Sequence, residues 1–266
     1  LFTDTIGFLL FSNVIHITIK NKTLHTVCHI LLALYSLSQC CAKTLLLIPY
    51  ILVIIQKTLP LNVCTLIYLI PTMLSRGTFS FILPIGIDRM FGICFPFWYS
   101  KKKSKLYWIL MIFTPFFYPI YLAYLILQDI TKNLPSECLT NYFNPITTIV
   151  DYFCIFSTFC CYLIILLKVI CEKKQISQSL SKVIVKSLAT IILIQICGWL
   201  VCISFINYSN NYIKDPDQQN KWLSCATIFA SIVTIVEVIA LFITSSEHLT
   251  ALKIEFAWLL RIFKKI

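Results

Sequence analysis

The stretch 84-PIGIDRMFGICFPFWYSKKKSKLYW-108 leaves an apolar run through an adjacent acid and base, Asp88 and Arg89. It then passes four lysines, Lys101, Lys102, Lys103 and Lys105, before turning apolar again. A charged pair at the end of a long apolar run, with a lysine cluster before the next one, is the pattern of a helix leaving hydrocarbon for a basic loop. On charge placement alone the pair also fits a plain interfacial anchor, in which a long Arg snorkels toward headgroups.

The rest of the chain reads the same way. It is 59% hydrophobic and 12% charged, with a mean hydropathy of +0.86, far from the roughly 25% charge of a soluble domain. Such a sequence cannot hide its apolar groups from water by folding alone, so lipid must be the solvent for much of its surface. The formal charge of +11 would suggest nucleic acid in a soluble protein. Here the bases cluster between apolar spans, and anionic headgroups are the simpler partner.

About 20 apolar residues cross a bilayer as a helix. That rule predicts seven spans, at 3–19, 26–55, 63–95, 107–128, 146–169, 184–206 and 223–244. The runs are far longer than barrel strands and do not alternate, so the predicted class is an all-α membrane protein. Its domain, 1–244, is a seven-transmembrane helix bundle, followed by a tail at 245–266. Pro49, Pro71 and Pro84 suggest kinks in the second and third spans. The opening from Leu1 has no basic n-region or small-residue cleavage site, and reads as a span rather than a signal peptide; whether the span is complete stays open.

Lysine and arginine placement sets the expected orientation. One set of connections and the tail carry Lys20, Lys22, Lys101, Lys102, Lys103, Lys105, Lys168, Lys173, Lys174, Lys182, Lys186, Lys253, Arg261, Lys264 and Lys265. The other set carries Lys57, Lys132, Lys214 and Lys221. Positive residues stay cytosolic, so the N-terminus is expected outside and the C-terminus inside. In the tail, Leu252, Phe256, Leu259, Leu260 and Phe263 share one helical face, which predicts a short amphipathic helix at the interface. A soluble amphipathic helix or a frayed end is the other reading.

Most of the 13 cysteines lie within apolar spans, where Cys serves as a small apolar filler. Cys64 and Cys138 differ. Cys64 precedes Asp88 by 24 residues, about 36 Å of helix, at the opposite end of the third span. Cys138 falls in the second outer connection. An oxidising exterior allows the two to bond, and two free thiols is the alternative.

These features together resemble the rhodopsin-like G protein-coupled receptors: the Asp88-Arg89 pair, Pro96 seven residues after the Arg, Tyr99 beyond it, and the Cys64 and Cys138 positions. The longer string from Ile87 to Trp108, with 35-YSLSQCCAK-43, is similar more narrowly to nematode serpentine chemoreceptors of the Srbc and Srsx kind. The resemblance implies a receptor in the plasma membrane, or a ciliary sensory membrane, that binds a small extracellular ligand and activates a heterotrimeric G protein. It implies that Asp88 pairs with Arg89 at rest, and that Asp88, Arg89, Pro96 and Tyr99 form the coupling switch, with 97–106 part of the G-protein surface. The chain departs from the common pattern: 195-QICGWLVCISF-205 has Trp199 but no following proline, and 232-IVTIVEVIALFITSSEH-248 lacks an NPxxY sequence.

Charges deep in the spans need partners or water. Arg76 is placed for a ligand cavity and Asp151 is its most reachable acid by depth. Lys43 and Glu237 are a looser second pair. Structural pairing without ligand contact fits all four equally well. A pocket in the outer half of the bundle would draw on Tyr68, Thr72, Arg76, Tyr118, Tyr121, Asp151, Tyr152 and Trp199, aromatic walls with few polar groups. Any one of these aromatics also fits packing or an interface belt.

The four histidines do not converge on a metal pattern, no phosphate loop or nucleophile elbow is present, and no cofactor is expected. The sequon at Asn207 lies on the outer side, hard against the membrane. A small-solute transporter is the alternative class, disfavoured by five glycines, an odd span count and no visible repeat. An orphan membrane scaffold is the other.

Overall fold

The computed structural model describes residues 2–55, 61–101, 105–131, 145–171, 197–213, 215–244 and 249–254, together with 194 and 257. Among these every regular element is helical. The helices are α1 (Phe2–Lys20), α2 (Val27–Ile55), α3 (Leu61–Cys94), α4 (Pro96–Lys101), α5 (Lys105–Phe113), α6 (Phe117–Thr131), α7 (Pro145–Cys171), α8 (Gly198–Tyr212) and α9 (Pro216–Thr244). A 3-10 turn at Thr114–Phe116 joins α5 to α6, so the two act as one rod.

Among the described residues, five segments are long and apolar enough to cross a membrane: Phe2–Lys20, Leu69–Cys94, Lys105–Gln128, Ile146–Cys171 and Lys221–Ile243. The 29-residue α2 covers the expected second span. Most of the expected sixth span lies outside the described residues; Gly198–Ser209 is its apolar described part. The side chains left exposed on these helices are largely Ile, Leu, Phe and Val, the surface that lipid solvates.

Packing closes a ring. α1 lies against α2 and α9, α2 against α3, α3 against α7, α7 against α8, and α8 against α9; α6 rests on α3. The main core fills this ring with Phe11, Leu31, Tyr35, Phe81, Trp199 and their neighbours.

Proline and glycine placement explains how α3 and α6 meet. Pro119 has no N–H, so the Pro115 carbonyl four residues before it loses its helical donor. Ser80 of α3 supplies one, its Oγ 2.7 Å from that carbonyl oxygen. The Pro119 ring can approach only because residue 77 is glycine: a Cβ there would sit 2.5 Å from Pro119 Cγ. A like contact joins α8 to α9, where a Cβ at Gly198 would lie 2.6 Å from Val233 Cγ1. α3 remains helical through Pro71 and Pro84.

One expected boundary is corrected. The connection expected at 207–222 is mostly helix, because α8 runs to Tyr212 and α9 starts at Pro216. Aromatic contacts hold these extensions together: Phe205 stacks on Trp222 at 5.7 Å and Tyr208 on Tyr212 at 5.3 Å. Asn207 of the sequon lies within α8, its Nδ2 donating to the Tyr152 hydroxyl at 3.0 Å. In the tail, 249–254 is helical and Ala251 joins the main core. The apolar face expected from Phe256 onward lies outside the described side chains.

The glycine at 77 gives a direct test. Gly77→Ala forces Cβ onto the Pro119 ring and lowers stability by about 1–3 kcal/mol, the usual range for overpacking. Gly92→Ala meets only Tyr99 Cε1 at 3.9 Å, and is expected to be neutral or to stabilise by up to about 1 kcal/mol through helix propensity. Thermal unfolding of the two purified variants, side by side, measures the difference.

Candidate functional site

α3 carries an ionisable residue in its middle and a pair near its C-terminal end, and each is engaged by different helices. In the middle, Arg76 Nη1 lies 2.6 Å from Asp151 Oδ2 on α7. The second carboxylate oxygen, Oδ1, accepts from the Tyr118 hydroxyl of α6 at 2.7 Å, and the same hydroxyl lies 3.0 Å from the Thr147 carbonyl. Asp151 is 0% exposed. A charge so placed is tolerable only when both its oxygens are satisfied, which this arrangement achieves with one cation and one neutral donor.

The predicted pocket residues divide. Arg76, Tyr118 and Asp151 form one cluster, and Tyr152 adjoins it by bonding Asn207 of α8. Thr72 is half-buried one turn before Arg76 on α3. Trp199 packs edge-on against Phe79 at 4.9 Å, and its indole N–H lies beside the Tyr35 hydroxyl, outside hydrogen-bond geometry. Tyr121 is 40% exposed on the outer surface of α6. The side chains of Tyr68 and Cys64, and all of Cys138, lie outside the described residues, and the expected Cys64 to Cys138 bond with them. Cysteines elsewhere in the described chain are free thiols.

The looser pairing of Lys43 with Glu237 is corrected. Lys43 Nζ bonds Asp4 Oδ1 of α1 at 3.1 Å and Ser231 Oγ of α9 at 2.9 Å, and Ser231 in turn donates to Asp4 Oδ1 at 2.6 Å. Glu237 accepts instead from the Tyr35 hydroxyl at 2.8 Å, and Gln39 Nε2 donates to that hydroxyl at 3.0 Å. The physical reason is reach. Asp4 and Ser231 meet the flexible Lys43 stem beside Gly7, where a Cβ would come within 3.3 Å of Lys43 Cε.

At the other end of α3, Asp88 is buried and accepts from the Tyr107 hydroxyl of α5 at 2.7 Å and from the Tyr99 hydroxyl of α4 at 3.2 Å. Burial and the Asp88 carboxylate raise the Tyr99 phenol above its ordinary value, which keeps it a donor. The expected resting pair of Asp88 with Arg89 is not formed. Arg89 turns toward α2, its Nε 3.0 Å from Cys28 Sγ. Successive helical residues point about 100° apart, so neighbours in sequence meet different partners. Pro96 opens α4, where its missing N–H is harmless, and that short helix brings Tyr99 back under Asp88. Two residues before Tyr99, Phe97 is 83% exposed.

Sequence reasoning missed Asp4, Ser231, Tyr35, Gln39, Tyr107 and Cys28. Asp4 and Tyr107 fall inside the expected first and fourth spans, with nothing in the local pattern to single them out. Their spatial neighbours are 39 and 19 residues away, spacings that carry no periodic signal.

An all-helical membrane bundle with its ionisable groups paired between helices, and with a DR pair where α3 meets a lysine-rich connection, has the layout of a polytopic receptor. The comparison with family profiles makes the assignment specific. The profile described as serpentine type 7TM GPCR chemoreceptor Srsx matches residues 5–256, and the chain belongs to that family. The family is one of signal-transducing receptors, not of enzymes. No curated protein matches the chain.

Asp151 provides the test of the buried cluster. Asp151→Asn leaves the Arg76 guanidinium without its counter-charge and is expected to cost about 3–5 kcal/mol, whereas Tyr118→Phe removes one neutral donor and costs about 1 kcal/mol. Unfolding of both variants in the same detergent checks the order; equal effects would contradict the charge argument.

Proposed function

We propose that the chain is a seven-span chemosensory receptor that takes a small extracellular ligand into the outer half of its bundle and activates a heterotrimeric G protein at its lysine-rich face. The observation that carries this reading is the division of α3. Within a chemoreceptor family, one helix holds Arg76 against Asp151 of α7, which also takes Tyr118 of α6, and Asp88 and Arg89 against α2, α4 and α5. The two sites lie 12 residues apart, about 18 Å along the axis. A ligand that disturbs the first set of contacts can shift a two-state equilibrium read out at the second, provided it binds the two states differently.

In this reading the sixth span crosses at 184–206, the N-terminus faces out, and the protein resides in the plasma membrane. Arg76, Asp151, Tyr118 and Tyr152 line the ligand end with Thr72 and Tyr68, and Trp199 sits beneath it. Asp88, Arg89, Pro96 and Tyr99 form the coupling end. Cys64 and Cys138 bond and tie the second outer connection to α3, a pairing that suits an extracellular face.

Two measurements test it. Cells expressing the chain with a G protein, screened with small organic compounds, are expected to give agonist-dependent nucleotide exchange that Arg89→Ala reduces at least about tenfold, the size of losing one charge-assisted contact; undiminished coupling would remove Arg89 from the switch. An epitope placed between Lys101 and Lys105 is expected to be reachable only after permeabilisation. Labelling on intact cells would reverse the orientation.

A further inference from the structure

The proposed coupling leaves open what restrains Arg89 when no ligand is bound. The acid beside it lies within electrostatic reach but forms no ion pair with it: both Asp88 oxygens face tyrosine hydroxyls from α4 and α5. The described polar contact of the Arg89 side chain crosses to α2, where Cys28 Sγ lies 3.0 Å from Nε. Cys28 is buried in the main core as the second residue of α2, four residues after the 3-10 turn Lys22–Leu24. His29 of α2 and Tyr162 of α7 lie within electrostatic reach of the same guanidinium.

The surroundings give this contact a direction. Arg89 stands on α3 facing the junction of α1 and α2, and the Asp88 contacts point from the same turn toward α4 and α5. The two halves of the DR pair therefore hold α3 to different neighbours. A sulfur is a soft, weak acceptor, and a guanidinium is strongly held only by hard anions, so the Cys28 contact can be given up at small cost when a better acceptor is offered. A restraint of that strength holds the arginine in place without trapping it.

We propose that Cys28 is a positioning residue for Arg89: it keeps the guanidinium folded back on α2 in the unliganded receptor, and its loss raises ligand-independent coupling. This rests on the G-protein reading above. No ligand is needed to test it.

The experiment has two arms on the full-length chain. The first is a double-mutant cycle of Cys28→Ala and Arg89→Ala on the melting temperature of purified protein; partners in contact give non-additive shifts, and additive shifts would overturn the contact itself. The second measures basal nucleotide exchange with a panel of purified heterotrimeric G proteins, at matched receptor amounts. Cys28→Ala is expected to raise basal exchange about threefold to tenfold, the population shift for losing one weak charge-assisted restraint. Cys28→Ser, which keeps an acceptor at the same place, is expected to stay near wild type, and Arg89→Ala added to Cys28→Ala is expected to abolish the rise. A merely structural cysteine would lower the melting temperature in Cys28→Ala and leave basal exchange flat, and that result overturns the role. A wild-type chain that activates no G protein, basally or with compounds, overturns the functional reading and this role with it. The cycle still decides the contact in that case.

Discussion

A charge inside hydrocarbon has no water to turn to, and this constraint organises the bundle. Each deep ionisable side chain with a described partner finds it on another helix: Asp4 with Lys43 and Ser231, Asp151 with Arg76 and Tyr118, Glu237 with Tyr35, Asp88 with Tyr99 and Tyr107. These contacts link α1 to α2 and α9, α3 to α7, α7 to α6, α2 to α9, and α3 to α4 and α5. Apolar side chains are solvated by lipid nearly as well as by one another, so they say little about which helix sits next to which. The polar groups say a great deal, because each must meet its own partner or remain unsatisfied.

Close approach supplies the second constraint. Gly77 admits the Pro119 ring, and Ser80 then satisfies the carbonyl that this proline frees. The same pair of devices, a missing side chain and a hydroxyl, brings backbones together where bulk would hold them apart. Gly198 against Val233 does so for α8 and α9.

Much of this was legible in the sequence. The apolar runs placed α1, α3, α5 with α6, and α7 within a few residues, since length and polarity alone decide a span. Asp151 was identified as the partner of Arg76 from depth, because helical rise converts residue number to height in the bilayer. Depth does not give azimuth. Lys43 was matched loosely to Glu237 by height, yet Asp4 stands nearer around the ring, and no periodicity in an apolar helix shows which face a lysine will take. The resting pair of Asp88 with Arg89 is an expectation that comes from the receptor resemblance. On a helix adjacency turns them apart, and Tyr107 and Cys28 took one each. The α8 to α9 turn is shorter than the apolar runs predict for a related reason: Asn207, Ser209 and Asn210 interrupt the apolar run, but Phe205 stacks on Trp222, Tyr208 meets the same ring edge-on, and both helices continue.

Melting temperatures of Lys43→Met, Asp4→Asn and the double variant, in one lipid nanodisc preparation, address the organising constraint most directly. If buried charges persist here only as satisfied pairs, either single change leaves an uncompensated charge and lowers the melting temperature more than the double change does. Single effects that simply add in the double variant would contradict that account, and with it the explanation for how α1, α2 and α9 come together.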